Sequence, residues 1–178
     1  MKYYIIEQDK SYANLPQLIN WYQTIDERNL HMGSYSKIPE KSMIYVKHDK
    51  DLFFPDMLLF PFLMINEKVK TTLLKYEPNM NFRVLFLVDK VSNAFEYYSI
   101  PFLKEIDCMS KKSELNMDKS VVFKLVLKKS RLPKGVPLFM VKGLKSRCVV
   151  ARMDFMESVL RTDICGIRLR EVEIEDDI

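Results

Sequence analysis

Two histidines, three cysteines and a scatter of acids are the groups in this 178-residue chain that could act as bases, nucleophiles or metal ligands. His31 and His48 lie near Asp26, Asp49 and Asp51, a set able in principle to hold a metal or pass a proton between imidazole and carboxylate. Neither histidine belongs to an HExxH or HxH pattern, and neither stands at a zinc-site spacing from a cysteine, so both read as loop histidines among surface charges. Cys108, Cys148 and Cys165 are odd in number, far apart and free of any CxxC, which excludes a disulfide framework and a zinc ribbon and fits a reducing compartment. Cys108 would need a neighbouring base to act as a nucleophile, and burial is the commoner fate of a lone cysteine. Gly33, Gly135, Gly143 and Gly166 are isolated, so no phosphate-cradling loop is encoded, and no serine sits in a GxSxG elbow. Adjacent carboxylates occur at Asp26-Glu27 and in the acidic tail, both expected in solvent. The expectation is a protein that is not an enzyme and carries no metal or cofactor.

Residues that make contacts are better represented than residues that make bonds. Trp21-Tyr22, Phe53-Phe54 and Tyr97-Tyr98 are adjacent aromatic pairs whose members point different ways in any regular element, so some of these rings must approach the surface. Exposed Trp and Tyr are favoured interface anchors, and Trp21 and Tyr22, with the neighbouring acids Asp26 and Glu27, form the candidate partner-binding group. The net charge of +4 hides an uneven distribution. The last eight residues hold five acids, Glu171, Glu173, Glu175, Asp176 and Asp177, which leaves 28 bases against 19 acids in the remainder. Residues 120–153 carry nine bases and no acid. A nucleic-acid-binding module is therefore the alternative reading, with Lys142, Lys145 and Arg147 on phosphates and Tyr97 or Tyr98 stacking on bases. The plainer reading is that these are solvated strand edges whose charge discourages edge pairing, and nucleic acid is not the expected partner.

The elements that must position these groups follow from periodicity. A β-prone run at Tyr3, Tyr4, Ile5 and Ile6 precedes residues 14–26, where Leu15, Leu18, Ile19, Tyr22 and Ile25 fall at helical spacing behind Asn14 as a cap. Residues 29–40 read as a loop, residues 43–46 as a strand, and residues 52–65 as core interrupted by Pro55 and Pro61. Asn66 caps a predicted helix to Tyr76, and residues 81–89 alternate with Phe82, Val84, Phe86 and Val88 inward. Further strands are expected at residues 94–100, 121–127, 136–141 and 148–151, then a helix at 154–162 and a strand at 166–172. The strand–helix–strand order thus occurs twice and reads as a degenerate internal repeat, its two helices in similar positions against one sheet. About eight strands and three helices give an α+β fold, a mostly antiparallel sheet with helices on one face. Residues 110–119 are the only linker candidate. The chain divides into a strand–helix–loop region, 1–54, and an α+β domain, 55–178, expected to form one compact unit. No apolar run reaches the ~20 residues of a membrane span, and the opening MKYYIIEQDK reads as a mature cytoplasmic start.

Several segments resemble a family of bacterial immunity proteins, immunity family eleven, long catalogued as a domain of unknown function and linked to polymorphic toxin systems. The resemblance lies in LMINEKVKTTLLKYEP followed by NFRVLFLVD, then in YYSIPFLKEIDCMSKKSEL, where Tyr98, Ile106, Asp107, Cys108 and Ser113 match the family's tendency. It ends in VPLFMVKG and CVVARMDFMESVLRTDICGIRLREVEI, with Gly166 before the closing strand. It spans residues 55–174 and departs from the family at Arg152-Met153-Asp154, where Ser or Asn usually opens the last helix. The resemblance implies a non-enzymatic protein that neutralises a cognate protein toxin, encoded by an adjacent gene, by binding it.

Overall fold

The computed structural model describes residues 1–31 and 33–176. Its first half runs β1 (Tyr3–Gln8), β2 (Lys41–Tyr45), β3 (Met57–Leu58), β4 (Met64–Ile65), α1 (Glu67–Tyr76), β5 (Phe82–Val88) and β6 (Phe95–Pro101). The second continues with β7 (Glu105–Ile106), β8 (Glu114–Leu115), β9 (Val122–Lys124), β10 (Val126–Lys128), β11 (Leu138–Val141), β12 (Val149–Arg152), α2 (Met153–Leu160), β13 (Ile167–Glu171) and β14 (Glu173–Glu175). Two five-stranded sheets result, one in the order β13-β1-β12-β11-β7 and the other β2-β5-β6-β4-β3, with two-stranded ribbons β10-β14 and β8-β9 beside them. Seven of the ten strand pairings are antiparallel, so the class is α+β with mostly antiparallel sheet.

The two strand–helix–strand units share one plan. β4 leads through α1 to β5, and β6 lies between the two strands, antiparallel to both. β12 leads through α2 to β13, with β1 between them, again antiparallel to both. Outside β4 stands β3, outside β12 stands β11, each antiparallel to its neighbour. The units occupy two sheets, however, not the single sheet expected, and their helices pack on each other. Tyr76 of α1 sets its ring edge-on to Phe155 of α2 at 5.5 Å and donates its hydroxyl to the Asp154 carbonyl at 2.9 Å.

Local chemistry explains both helices. Asn66 Oδ1 accepts the Val69 N–H at 3.2 Å, Glu67 occupies the first turn, Lys75 the last, and Pro78 follows the end. Arg152 stands at the cap of α2 and offers no acceptor there; its guanidinium instead clamps Asp154 through bonds of 2.6 and 2.8 Å. Three apolar clusters hold the layers together. The first, with Ile65, Val69, Leu73, Leu138, Ala151 and Phe155, fills the space between the helices and both sheets. The second lines the far face of the β2-to-β3 sheet, and the third the far face of the β13-to-β7 sheet, beneath β10 and β14. Each fully buried Leu or Phe is worth ~1.5–3 kcal/mol, so sheet faces rather than helix propensity set the stability.

The structure departs from several expectations, each for a local reason. Residues 14–26 form no α-helix: Leu18 bridges Val46, Asn20 takes a left-handed φ of 49°, and the 3₁₀ turn Trp21–Gln23 stands there, followed by another at Glu27–Asn29, so the described residues hold two α-helices. This segment serves as a cover over the second cluster, a role that uses the same apolar residues without their helical register. On β5 the buried residues are Leu85 and Leu87, whereas Val84, Phe86 and Val88 face the other way and are only half-buried. Residues 121–127 split into β9 and β10, and residues 110–119 form no linker but contribute β8, with Ser113 Oγ bonded to the Val126 backbone. The acidic tail is no free solvated segment, since Glu173–Glu175 pairs in parallel with Val126–Lys128; Asp177 lies outside the described residues. β1, from the N-terminal region 1–54, is an interior strand of one sheet, and β2 from the same region edges the other.

Candidate partner-binding surface

Strand register assembles a surface that lies on no single stretch of sequence. The row Met57, Ile65, Ser99, Val84, Lys41 crosses all five strands of the second sheet on one face. Burial falls along it: Met57, Ile65 and Ser99 are buried under α1 and the first cluster, Val84 is half-buried and Lys41 is exposed. The next rows on the same face are Tyr97, Phe86, Met43 and Phe95, Val88, Tyr45. Among the described residues no element covers them, and Phe95 is 66% exposed, Met43 54% and Tyr97 41%. Phe86 and Tyr97 touch at a centroid distance of 6.4 Å with their planes 46° apart, and Lys90 Nζ sits 3.7 Å above the Tyr45 ring. The helix face of this sheet is thus half core and half open apolar surface.

The residues nominated from sequence are distributed differently. Trp21 packs edge-on against Phe62 at 5.6 Å and belongs to the cover of the second cluster, while Tyr22 beside it is 63% exposed. Asp26 caps the following 3₁₀ turn by accepting the Arg28 amide at 3.0 Å, and the Arg28 guanidinium holds its carboxyl below the usual carboxylate range. Tyr98 is fully buried, its hydroxyl donating to the Pro55 carbonyl at 2.7 Å, and burial pushes its pKa up; only Tyr97 of that pair reaches solvent.

Five of the nine bases in the acid-free stretch find acids that are remote in sequence or just beyond it. Lys124 pairs with Glu173 at 2.7 Å and Lys129 with Asp176 at 2.6 Å, both in the tail; Arg131 pairs with Asp107, Lys145 with Asp118 and Arg152 with Asp154. The tail's Glu175 accepts from Ser110 and pairs with Lys112, and these contacts hold its carboxyl below its ordinary value. Two of these pairs, Lys124 with Glu173 and Lys129 with Asp176, tie the basic stretch to the acidic tail beside the β10-β14 ribbon. Arg147 donates to the Glu27 carbonyl at 2.7 Å, and desolvation lowers the pKa of its half-buried guanidinium. Glu27, Lys145 and Arg147, from both nominated groups, line one cleft of about 270 Å³ with Arg28, His31 and Glu105; Trp21, Tyr22 and Lys142 do not line it.

Of the titratable groups, His48 does not meet the three aspartates near it in sequence but sets Nδ1 2.7 Å from Asp89 Oδ2. Asp89 also accepts from Ser92 Oγ at 2.6 Å and from the Val91 amide at 2.9 Å, and the Ser92 and His48 bonds hold its carboxyl far below the ordinary value. Ser92 is bonded to the carboxylate rather than to the imidazole, so the arrangement orients a histidine without activating a hydroxyl. Cys108 and Cys148 are buried, and burial pushes their thiols up to about 11 and about 12, the opposite of nucleophile activation. Cys165 donates its thiol to Asp56 at 3.1 Å. Burial raises the Asp56 carboxyl, but the Cys165 thiol and amide, Lys68 and Asn66 outweigh it and hold it below its ordinary value. No group of three or more potential metal ligands is found among the described residues, and no helix there is long and apolar enough to cross a membrane.

No protein-family model matches the chain, and no curated protein sequence matches it. The open rows on β2, β5 and β6 were missed by sequence reasoning although their signal was present. Apart from Arg83, FRVLFLV is apolar on both of its faces, and only the register with β2 and β6 tells which face is covered.

Proposed function

We propose that this protein acts by binding another protein, as a non-enzymatic immunity protein that neutralises a cognate bacterial toxin. The observation that carries the binding reading is the uncovered aromatic and aliphatic half-face of the second sheet, because ordered apolar rows left in water are the signature of a surface awaiting a partner. The toxin as partner is what the resemblance of residues 55–174 to immunity family eleven implies. The raised thiols of Cys108 and Cys148 support a role without covalent catalysis. The nucleic-acid alternative draws less support, since Lys124, Lys129 and Lys145 already meet acids and Arg147 meets a backbone carbonyl.

Co-expression with the toxin-like product of the adjacent gene tests the proposal. Restored growth and a stable complex in gel filtration are the expected outcome. Continued toxicity with no complex overturns it.

A further inference from the structure

We infer that the open half of the β2-β5-β6 face is the docking site for the toxin, and that the toxin presents to it an apolar patch edged by carboxylates; this rests on the neutralisation reading above. The first argument is charge. The positions of these three strands on that face are Lys41, Met43, Tyr45, Val84, Phe86, Val88, Phe95, Tyr97 and the buried Ser99, which include no acid. Lys41 stands at one end of the patch and Lys90 over Tyr45 at the other, and among the described residues neither is ion-paired to a carboxylate. Elsewhere some bases meet an acid from a neighbouring element, as Lys124 meets Glu173 and Lys129 meets Asp176, whereas the strand positions of this face offer Lys41 and Lys90 none. Two lysines at the ends of an acid-free apolar patch are complementary to a partner that carries carboxylates.

The same charges decide between occupants. A second copy of this chain docked through the same face would bring Lys41 and Lys90 against a surface equally free of acid, so self-association gains no complementarity. Single-stranded nucleic acid would find phosphate partners in the lysines but poor stacking partners in the rings: Phe86 and Tyr97 tilt 46° to each other, Lys90 occupies the Tyr45 face, and Met43, Val84 and Val88 separate the rings with aliphatic groups. Three strands spaced ~4.8 Å apart and five residues deep at ~3.3 Å each make a footprint of roughly 10 by 17 Å, about a fifth of the ~800 Å² that each partner contributes to a standard interface. The patch is therefore the centre of an interface rather than the whole of it, the place where aromatic anchors concentrate binding energy.

The experiment uses the full chain and the purified product of the adjacent toxin-like gene, with affinity measured by titration calorimetry at two salt concentrations. Phe95→Asp with Tyr97→Asp is expected to weaken binding about 100-fold, as loss of central anchors does. Lys41→Glu with Lys90→Glu, at exposed positions that leave folding intact, is expected to weaken it about tenfold, with a smaller salt dependence, as loss of rim charges does. Wild-type binding that survives both pairs of substitutions overturns the site and leaves neutralisation standing. A wild-type protein that does not bind the product at all overturns both. Labelled dT20 or rU20 bound by the wild type and lost with Phe95→Asp and Tyr97→Asp, or a dimer in sedimentation lost with the same pair, overturns the commitment to a protein toxin.

Discussion

The two sheets are built to one plan and finished differently. In each, a strand leads through a helix to a second strand with an antiparallel strand between them. In the first sheet β13 is the edge beside this unit, and extra strands extend only the other side, through β11 to β7. In the second sheet β2 is added beyond β5, on the side that α1 does not reach. The far face of each sheet is covered, by the β10-β14 ribbon in one case and by the 3₁₀ segment in the other. β5 and β6, seven residues each, run on past the two-residue β4, which meets β6 only at Ile65 and Ser99, so their far ends, together with β2, pass from core face to surface. A sheet whose strands outrun the helix that covers them must expose what they would otherwise bury.

The sharpest way to test that contrast is to remove matched rings. Phe139, fully buried on the far face of the first sheet, should cost ~3–5 kcal/mol on replacement by alanine, read from the shift of the urea midpoint at constant slope. A loss near 1 kcal/mol would show that the ribbon over it is a loose cover. Next in size is the seam between the halves, where Gly166 has a φ of +95° and an added Cβ would strike the Cβ of Pro55, just ahead of β3. Gly166→Ala should cost ~2 kcal/mol from backbone strain and overpacking together, and a neutral result in thermal unfolding would mean that the seam yields easily.

The helix caps sharpen the comparison further. Asn66→Ala should cost ~1 kcal/mol, because the Val69 amide loses its acceptor. Arg152→Ala removes no cap, so its cost in the same denaturation assay, also ~1 kcal/mol, should come instead from the Asp154 clamp and from the guanidinium that lies over the Tyr76 ring. The smallest effect belongs to the open face: Phe95→Ser with Tyr97→Ser should change stability by no more than ~0.5 kcal/mol per site, since Phe95 is mostly and Tyr97 partly exposed and no core residue rests on either. A loss of several kcal/mol there would mean that the rings support the fold.

Sequence reading finds what local physics determines and misses what register determines. Asn66, Pro78 and the spacing of Val69, Leu73 and Tyr76 carry α1 in one segment, and the alternation of β6 is similarly local. The α+β class and both strand–helix–strand units follow from such signals. Residues 14–26 mislead because Leu15, Leu18 and Ile25 suit a helix face and an extended cover equally well, and Asn20, which ends the possibility, is an ordinary polar residue until its φ is known. Of the nominated site residues, Tyr97 lies on the open face, but Trp21 and Tyr22 do not line those rows and Lys145 is ion-paired. Met43, Phe86 and Tyr97 come from three segments separated by whole elements, and only pairing across strands makes them neighbours. The acidic tail and the basic stretch were legible as blocks; that Lys124 and Lys129 meet Glu173 and Asp176 depends on a parallel pairing between residues 126–128 and 173–175.

The place of β1 has a consequence during synthesis. Its two neighbours, Val149–Arg152 and Ile167–Glu171, leave the ribosome more than a hundred residues after it does, whereas residues 41–101 hold every strand of the other sheet. That sheet and its helix can therefore close on the nascent chain while Tyr3, Ile5 and Ile6 still wait for partners. Pairings so distant along the chain are slow to form because loop closure precedes any reward. A hydrophobic strand kept waiting that long is where a chaperone that reads extended apolar segments would find its grip.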